Sequence, residues 1–387
     1  MKIRLLSLVL LSPAFGCAGS DDVSATPHAM PYTCTSTVAA ADAADLSSKA
    51  SGSAEGTCVV LNGASYELGA ALVVKHGIIV VGGKDVRPVI RGAGIKLEGG
   101  KLAYATVEGA TGVGVAIGPD GGGMFDVVVT GAKTAGVTIA GGDVRLESVS
   151  LEKNAIGMMA TGGNVTMTGG RVAENGNTSL TSGLGLVAAN GAKLSLDGVT
   201  VEKNAATGVL VDGAATTLAM KNAKVLDNGE RGVWVQSAEG TLDAPALRLE
   251  QTEVARNKIV GVGALESRGI IVVGGRVADT QAVPVVTNLA TTEPVGDGFG
   301  VFSGTGDVKI DGTLVEANAR AAGIIDGSDR GIIVVGGKVT AGASGLKVVI
   351  QNTTANVDIA DDLKSVPTKA LGVSATKVKV PSVAPTP

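Results

Sequence analysis

Residues 192–211 read AKLSLDGVTVEKNAATGVLV and contain three short apolar runs that are separated by polar or glycine-rich turns. The runs are KLSL, VTV and VLV. The second run leads to Asn204, and Gly208 opens the third run four residues later. Short runs rich in Val and Leu between such turns predict β-strands. One unit of this sequence therefore consists of strand, turn, strand, turn and strand.

The same unit recurs along the chain, most clearly in the strand endings that precede an Asn. These Asn residues are spaced by 21, 29, 24 and 29 residues and finally by 61, which fits two units plus an insertion. Because one unit is too small to bury its own apolar side chains, the units must stack. The six endings are VSLEKN (149–154), GRVAEN (170–175), VTVEKN (199–204), AKVLDN (223–228), TEVARN (252–257) and TLVEAN (313–318), with the turn residues Asn154, Asn175, Asn204, Asn228, Asn257 and Asn318.

Stacked units place each strand beside its counterpart in the next turn, so they form parallel sheets. Asn suits the turn because it tolerates the left-handed conformation, and we expect the stacked amides to bond along the axis. The pattern resembles the right-handed parallel β-helix of the pectin-lyase-like superfamily over residues 57–360. The resemblance implies an all-β chain with one β-solenoid and an N-terminal cap at 36–56, in which the Ala-rich stretch 37–50 forms a short helix.

Composition excludes several other classes of protein. Gly provides 58 of 387 residues, and only four Phe, three Tyr and one Trp are present. Gly at this density disfavours a helical bundle, because each Gly inside a helix costs up to about 1 kcal/mol. The 45% apolar share argues against disorder, and no Gly recurs at every third position as in collagen. The strict hexads of a left-handed β-helix and a Leu-rich repeat consensus are also missing from the sequence.

The N-terminal residues MKIRLLSLVLLSPAFGC (1–17) have a basic start, a short apolar stretch and small residues before Cys17. They resemble the signal peptide and lipobox of a bacterial lipoprotein, although Ala14 stands where Leu is expected and Phe15 is unusual. The resemblance implies a signal peptide at 1–16, lipidation of Cys17 and a tether at 17–35. The chain is then expected in the cell envelope, anchored to the outer membrane and facing the periplasm or the surface. An ordinary signal peptide with a chance Cys is the alternative.

Lipidation of Cys17 would leave Cys34 and Cys58 as one pair, in a compartment that permits disulfides. Closing this loop of about 25 residues would stabilise the fold by about 3 kcal/mol. Two thiols and two His supply too few ligands for a metal site, and we expect no metal and no cofactor. Removal of Lys2 and Arg4 leaves 30 basic against 36 acidic residues, a formal charge of −6 that argues against nucleic acid as a partner.

We assign no catalytic residue from the sequence. The acidic residues before the turn Asn (Glu152, Glu174, Glu202 and Asp227) are interpreted as a solvated outer row. Trp234 alternates with Val233 and Val235 and should point away from them, either exposed or filling a corner. The candidate contact surface consists of Trp234, Arg268, Phe299, Phe302 and Arg330, and the two Arg are alternatively turn residues that pair with Glu266 or Asp329.

Three further segments stand out. GIIVVGG occurs at 77–83, 269–275 and 331–337 and is interpreted as a buried strand that ends in a Gly-Gly turn. Residues 280–300 contain two Pro, break the period and predict a loop that projects from the stack. The C-terminal tail, 361–387, is expected to be disordered or loosely laid over the last coil.

Two hypotheses for function follow from these features. The first is a lipid-anchored cell-envelope protein with a non-catalytic binding or structural role, whose partner is a polysaccharide or another envelope protein. The alternative is a polysaccharide-active enzyme of the pectin-lyase-like type: a uronate lyase, a glycoside hydrolase or an epimerase. A cluster of ionisable residues on one face of neighbouring coils would favour the enzyme.

Overall fold

The computed structural model describes residues 32–85, 87–176 and 183–382. The predicted signal peptide at 1–16 and Cys17 lie outside the described residues. Contacts divide the chain into residues 1–33 and 34–387. The second unit is an all-β solenoid, as the repeat predicts.

Three parallel sheets run the length of the solenoid, and each turn of the chain adds one strand to each sheet. In the described part of the chain the sheets contain 14, 12 and 14 strands. The first sheet consists of Ser36–Ala40, Thr57–Leu61, Ile79–Val81, Lys101–Ala103, Gly122–Phe125, Asp143–Glu147, Asn164–Thr168, Lys193–Asp197, Thr217–Lys221, Leu247–Glu250, Arg268–Val273, Gly306–Asp311, Ile332–Val335 and Asn356–Ile359. All three GIIVVGG segments contribute strands to this sheet, as expected, but the third is not fully buried, because Ile332 is 45% exposed.

The second sheet has shorter strands and follows the first within each turn. It consists of Ser65–Leu68, Val89–Gly92, Thr106–Glu108, Val128–Thr130, Ser150–Glu152, Arg171–Ala173, Thr200–Glu202, Lys224–Leu226, Glu253–Ala255, Arg276–Ala278, Leu314–Glu316 and Lys338–Val339. Six of these strands lead into the Asn corners, from Ser150–Glu152 to Glu253–Ala255 and again at Leu314–Glu316.

The third sheet completes each turn. Its parallel strands are Leu72–Val74, Ile95–Leu97, Val113–Ile117, Ala135–Ile139, Met158–Ala160, Leu186–Ala189, Val209–Asp212, Val233–Gln236, Ile259–Leu265, Thr292–Val301, Ala321–Asp326, Leu346–Gln351 and Lys364–Ser365. A further strand, Val283–Val286, pairs antiparallel with Thr292–Val301. The last strand shows that sheet pairing continues beyond residue 360, where the sequence predicted the tail to begin.

Columns of like side chains fill the interior, because the strands are in register from coil to coil. Leu194, Leu218, Leu247 and Ile270 are consecutive partners in the first sheet and belong to one buried cluster. Burying such a side chain contributes about 1.5–3 kcal/mol. The short strands are therefore stabilised mainly by their neighbours in adjacent coils.

The N-terminal cap combines a strand with a helix. Helix Ala43–Gly52 is N-capped by Asp42, and its buried Leu46 and Ala50 pack against the first coil. The expected helix at 37–50 is wrong at its start, because Ser36–Ala40 pairs instead with Thr57–Leu61 as a strand. A disulfide joins Cys34 to Cys58, which confirms the predicted pair and ties the start of the cap to this strand.

A ladder of buried asparagines forms the corner between the second and third sheets. The side-chain oxygen of Asn228 accepts hydrogen bonds from the backbone N–H of Asn204 at 3.1 Å and from its Nδ2 at 2.9 Å. Nδ2 of Asn204 also donates to the carbonyl of Val172 at 3.2 Å. The same pattern links Asn154, Asn175, Asn204, Asn228 and Asn257, which confirms the predicted ladder.

Thr280 occupies the corner of the coil between Asn257 and Asn318, so the spacing of 61 does contain two units. Its backbone N–H donates to Oδ1 of Asn318 at 3.1 Å. Among the described residues, the Thr280 hydroxyl and Nδ2 of Asn318 have no hydrogen-bond partner. The ladder of amide-to-amide hydrogen bonds is therefore interrupted at the coil that carries the insertion.

The left-handed residue of the corner is not the Asn, as the sequence suggested, but the residue before it. These residues have φ between 53° and 57° and are Lys153, Glu174, Lys203, Asp227, Arg256, Asp279 and Ala317. The left-handed conformation of these residues directs the next side chain inward. Where that side chain is Asn, its amide hydrogen-bonds to the next coil. A Cβ on Gly208 would lie 2.6 Å from Nδ2 of Asn228, which explains why Gly follows the corner.

We expect Asn204→Ala to lower the free energy of unfolding by about 3 kcal/mol, because it leaves buried partners in Asn175 and Val172 unsatisfied. Asn164→Ala is the matched control, since Asn164 is exposed and bonds only Asp143 in the adjacent strand. The control should change stability by less than about 0.5 kcal/mol. Urea denaturation followed by circular dichroism measures both, and equal losses would contradict a stabilising ladder.

Candidate functional site: the outer face of the third sheet

The outer face of the third sheet is apolar, unlike that of the first sheet. Strands of the first sheet alternate buried and exposed residues, as in Lys193–Asp197, whereas all four residues of Val233–Gln236 are buried. The outward side chains form a second apolar cluster, separate from the core. Its members include Val187, Leu210, Trp234, Phe302, Ile324 and Val349. We call this surface the covered face.

Trp234 lies within the covered face and is fully buried. The prediction that it points away from Val233 and Val235 is confirmed, since both valines face the core. The interpretation of Trp234 as exposed is wrong. Its ring lies 5.8 Å from that of Phe302, and the guanidinium of Arg231 lies 4.5 Å from the Trp234 ring centroid.

The C-terminal tail covers this face. After Lys364–Ser365, residues 366–382 turn back across five neighbouring strands of the third sheet, from Leu346–Gln351 to Val233–Gln236. Val373 is 2% exposed, and Leu371, Ala375, Val378 and Val380 pack against the second cluster. The expectation of a tail that is disordered or confined to the last coil is therefore wrong over 366–382.

Two glutamines hold the tail by its backbone. Gln236 accepts from the N–H of Val378 at 2.7 Å and donates to the carbonyl of the same residue at 2.8 Å. Gln351 makes the equivalent pair with Leu371, at 3.0 and 2.8 Å. Such paired bonds use both polar groups of one peptide residue, as a neighbouring β-strand would.

An Asp in the preceding coil orients each glutamine. Asp212 lies beside Gln236 in the sheet register and accepts from its Nε2 at 2.8 Å. Asp326 stands in the same relation to Gln351, at 3.1 Å. The sequence did contain this signal: a third-sheet strand ending in Asp is twice followed, one coil later, by a strand ending in Gln.

The insertion supplies a third contact with the tail. The sequence predicted that residues 280–300 form a loop projecting from the stack. This is confirmed only for the first part of the segment, where Val283–Val286 and the start of Thr292–Val301 form a hairpin. Asn288 lies in the turn of this hairpin, and its Oδ1 and backbone N–H bond the N–H and carbonyl of Val373, each at 3.0 Å. Phe299 does not belong to the hairpin, because it lies in the core of the solenoid.

A buried ion pair lies under the tail. Asp297 is 1% exposed and receives hydrogen bonds from Nε of Arg320 at 2.9 Å and from the N–H of Ala321 at 3.3 Å. A further nitrogen of Arg320 donates to the carbonyl of Gly372 at 2.6 Å. Burial raises the pKa of Asp297 above its usual range, while the hydrogen bonds and charge of Arg320 oppose that effect.

Arg268 and Arg330 are not brought together with Trp234 and Phe302. Both directly precede a GIIVVGG segment, whose strand lies in the first sheet. They therefore lie on a different side of the solenoid from the covered face, which belongs to the third sheet. Arg268 pairs with Asp307, and Arg330 bonds the carbonyl of Gly304 and Glu239. The candidate contact surface of five residues is therefore wrong as one patch, and the predicted pairing with Glu266 or Asp329 is replaced by these partners.

Carboxylates along the second sheet form paired rows. Arg171 bonds Glu202 at 2.7 Å, Glu152 at 2.8 Å and Glu174 at 3.4 Å, and Asp227 pairs with Arg256. Burial lowers the pKa of Arg171, but its hydrogen bonds to Glu202 and Glu152 outweigh that effect and raise it overall. The outer row is present, but its carboxylates are not freely solvated as the sequence interpretation expected, because they are partly buried and paired with arginines.

Within the described ranges, no group of three or more His, Cys, Asp and Glu side chains is arranged to hold a metal ion. Over the same ranges, no helix has the length and apolar character needed to cross a membrane. A cleft of about 440 Å³ lies beside the end of the tail, between Val378–Ser382 and the side chains of Leu184, Ala206 and Glu230.

We expect Val373→Asp to release the tail, because a carboxylate at this buried position would lose its water without gaining a partner. Trp234 is the single Trp of the chain, so its emission should shift to the red and its quenching by acrylamide should increase. Val366→Asp is the control, since Val366 is 94% exposed. If Trp234 emits identically in both variants, the tail does not cover it in solution.

Residues 113–278 match the family model described as the right handed beta helix region. A search of curated proteins found no match. Among solved structures, the periplasmic alginate epimerase AlgG is similar, with 12% identity, coverage of 83% of each chain and a TM-score of 0.49.

Two other solved structures are also similar to this chain. The mannuronan C-5 epimerase AlgE4 A-module of Azotobacter vinelandii has 14% identity, a TM-score of 0.38 and coverage of 84% of this chain and 95% of that one. PfbA, a surface adhesin of Streptococcus pneumoniae, has 10% identity, a TM-score of 0.42 and coverage of 81% and 86%. With its three parallel sheets and the match over residues 113–278, the chain is a right-handed parallel β-helix.

Proposed function

We propose that the chain is a lipid-anchored protein of the bacterial cell envelope with a non-catalytic binding or structural role. The lipid anchor is supported by the lipobox-like sequence that ends at Cys17. The non-catalytic role is supported by one observation above the others. The apolar face of the third sheet, where aromatic and charged side chains meet, is occupied by the tail of the same chain.

The arrangement of charges agrees with a structural role. Arg171 and Arg276 each engage three carboxylates on the second sheet, two of them from neighbouring coils and one from the same coil. Ion pairs of this kind bridge coils, and their exposed fractions imply modest individual contributions to stability. Engaged in this way, these residues favour a stable rod over a reactive site.

A polysaccharide-active enzyme is the second candidate, and two observations favour it. The clusters around Arg171 and Arg276 place ionisable residues on one face of neighbouring coils, as expected for an enzyme. The second observation is a contact in the covered face. Asp297 and Arg320 converge in the covered face, and epimerase chemistry needs an Arg, His or Tyr beside an Asp. In the present arrangement the carboxylate is saturated by Arg320 and Ala321, and the tail lies over the pair. We therefore propose a positioning role for this ion pair, in which it holds the tail through Gly372.

The lipid anchor is tested by metabolic labelling with radioactive palmitate. The protein should incorporate label and partition with membranes, and Cys17→Ser should abolish both, because only a thiol at the cleavage position accepts the lipid. The double variant Cys34→Ser and Cys58→Ser is the control and should keep its label. Unchanged labelling of Cys17→Ser would show that the lipid is attached to a residue other than Cys17.

The non-catalytic role is tested with uronate polymers. Wild-type protein and the tail-releasing variant Val373→Asp should both give no unsaturated product by ultraviolet absorbance and no epimerised residues by NMR. The variant is included because it uncovers Asp297 and Arg320. Turnover by either protein that is lost in Asp297→Asn would overturn the proposal and establish the enzyme.

A further inference from the structure

We propose that the covered face is an exchangeable peptide-binding groove, and that the C-terminal tail of a second copy of this chain binds it in place of the chain's own tail. The ligand is an extended aliphatic peptide with the sequence LGVSATKVKV (371–380). This inference goes beyond the proposed function, because it requires neither the lipid nor the absence of catalysis.

The groove recognises a peptide chiefly through its backbone. Gln236, Asn288 and Gln351 each bond both the N–H and the carbonyl of one tail residue, and these residues are Val378, Val373 and Leu371. In an extended peptide the N–H and the carbonyl of one residue point to the same edge of the chain, which matches these paired contacts. Between these contacts the apolar cluster accepts aliphatic side chains. The chemistry of the site is therefore that of a polypeptide receptor.

The groove requires an occupant. Gln236 is 2% exposed, and all four of its side-chain hydrogen bonds are used, two of them by Val378. Departure of the tail would expose Trp234 and would remove an acceptor from Arg320. An empty groove is thus unfavourable, because it exposes apolar side chains to water and leaves buried polar groups without hydrogen-bond partners. A tail that leaves must be replaced, and another copy carries the matching sequence.

The tail and the groove are complementary in charge. Lys377 pairs with Glu266 at 2.6 Å, and Lys369 lies 4.0 Å from Glu293, which stands on the hairpin. Glu230 lines the cleft beside the end of the tail. A basic tail therefore lies along an acidic rim. The same contacts favour docking of a tail from a second copy, with an affinity that falls as salt screens the pairs.

The connection between the solenoid and the tail permits exchange. Residues 366–370 form no strand, and Val366 is 94% exposed. Five extended residues span up to about 17 Å, enough to cross to a second copy whose C-terminal coil faces the first. Reciprocal exchange between two copies gives a closed twofold dimer that needs no new contact surface. The tail makes the same bonds in the dimer as in the monomer.

Complementation between two full-length variants tests this inference. The acceptor carries Val373→Asp, so its groove is intact and its tail is defective. The donor carries Gln236→Ala, Asn288→Ala and Gln351→Ala, so its tail is intact and its groove is defective. The donor also carries Trp234→Phe, which makes the acceptor the only source of Trp fluorescence in the mixture.

Each variant alone should be monomeric by light scattering, and the acceptor alone should show exposed Trp. Mixing them should produce a species of twice the mass, with Trp emission shifted back to the blue. Failure of the mixture to associate overturns exchange between copies, even if a synthetic peptide of residues 366–382 binds the acceptor. A peptide that binds neither this acceptor nor one carrying Val378→Asp overturns the groove itself, as does binding of an oligouronate in its place.

Discussion

The buried asparagine ladder is the constraint on which the rest of the structure depends. From Asn175 to Asn257, each side-chain oxygen accepts from both the backbone N–H and Nδ2 of the Asn one coil before it, as between Asn204 and Asn228. This contact fixes the axial position of the corner between the second and third sheets. Because the strands on either side are parallel and in register, a fixed corner also aligns the core columns and the outward residues. The covered face is continuous over five coils for this reason.

The repeat and its corners could be predicted from sequence because they are periodic and local. The unit ending at Asn204 differs little from those ending at Asn154 and Asn228, so three strands per turn follow from the pattern. The position of the left-handed residue did not follow. Asn tolerates that conformation by itself, but here its amide is needed inside, so Lys203 takes the turn instead. The general tendency of Asn to adopt the left-handed conformation was therefore outweighed by the hydrogen bonds that its amide makes with adjacent coils.

The candidate site was harder to predict because its contacts join distant and non-repeating segments. Val378 and Gln236 are separated by 142 residues, and the tail lacks the periodicity that identifies the coils. The sequence correctly predicted the direction of Trp234, but its burial depends on a segment that composition describes as a loose end. The burial of Phe302 beside Trp234 depends on the same cover. Apolar residues at both inward and outward positions of VWVQ were the available signal that a cover exists.

The solenoid also determines how the tail can be held. Within a coil stack, the N–H and C=O groups of each third-sheet strand already bond the strands above and below. A peptide that crosses this face therefore finds no free backbone ladder on the sheet, and it is bound by side chains and by the backbone N–H of Asn288 in the hairpin. Gln236 and Gln351 provide that recognition by imitating a peptide group, and Asp212 and Asp326 hold them in position. The tail is held by these two glutamines, by the hairpin and by Arg320, without the continuous ladder of backbone hydrogen bonds that joins the coils. The coils are joined by continuous backbone hydrogen-bond ladders and the tail is not. The tail is therefore the part of the structure that can separate from the rest.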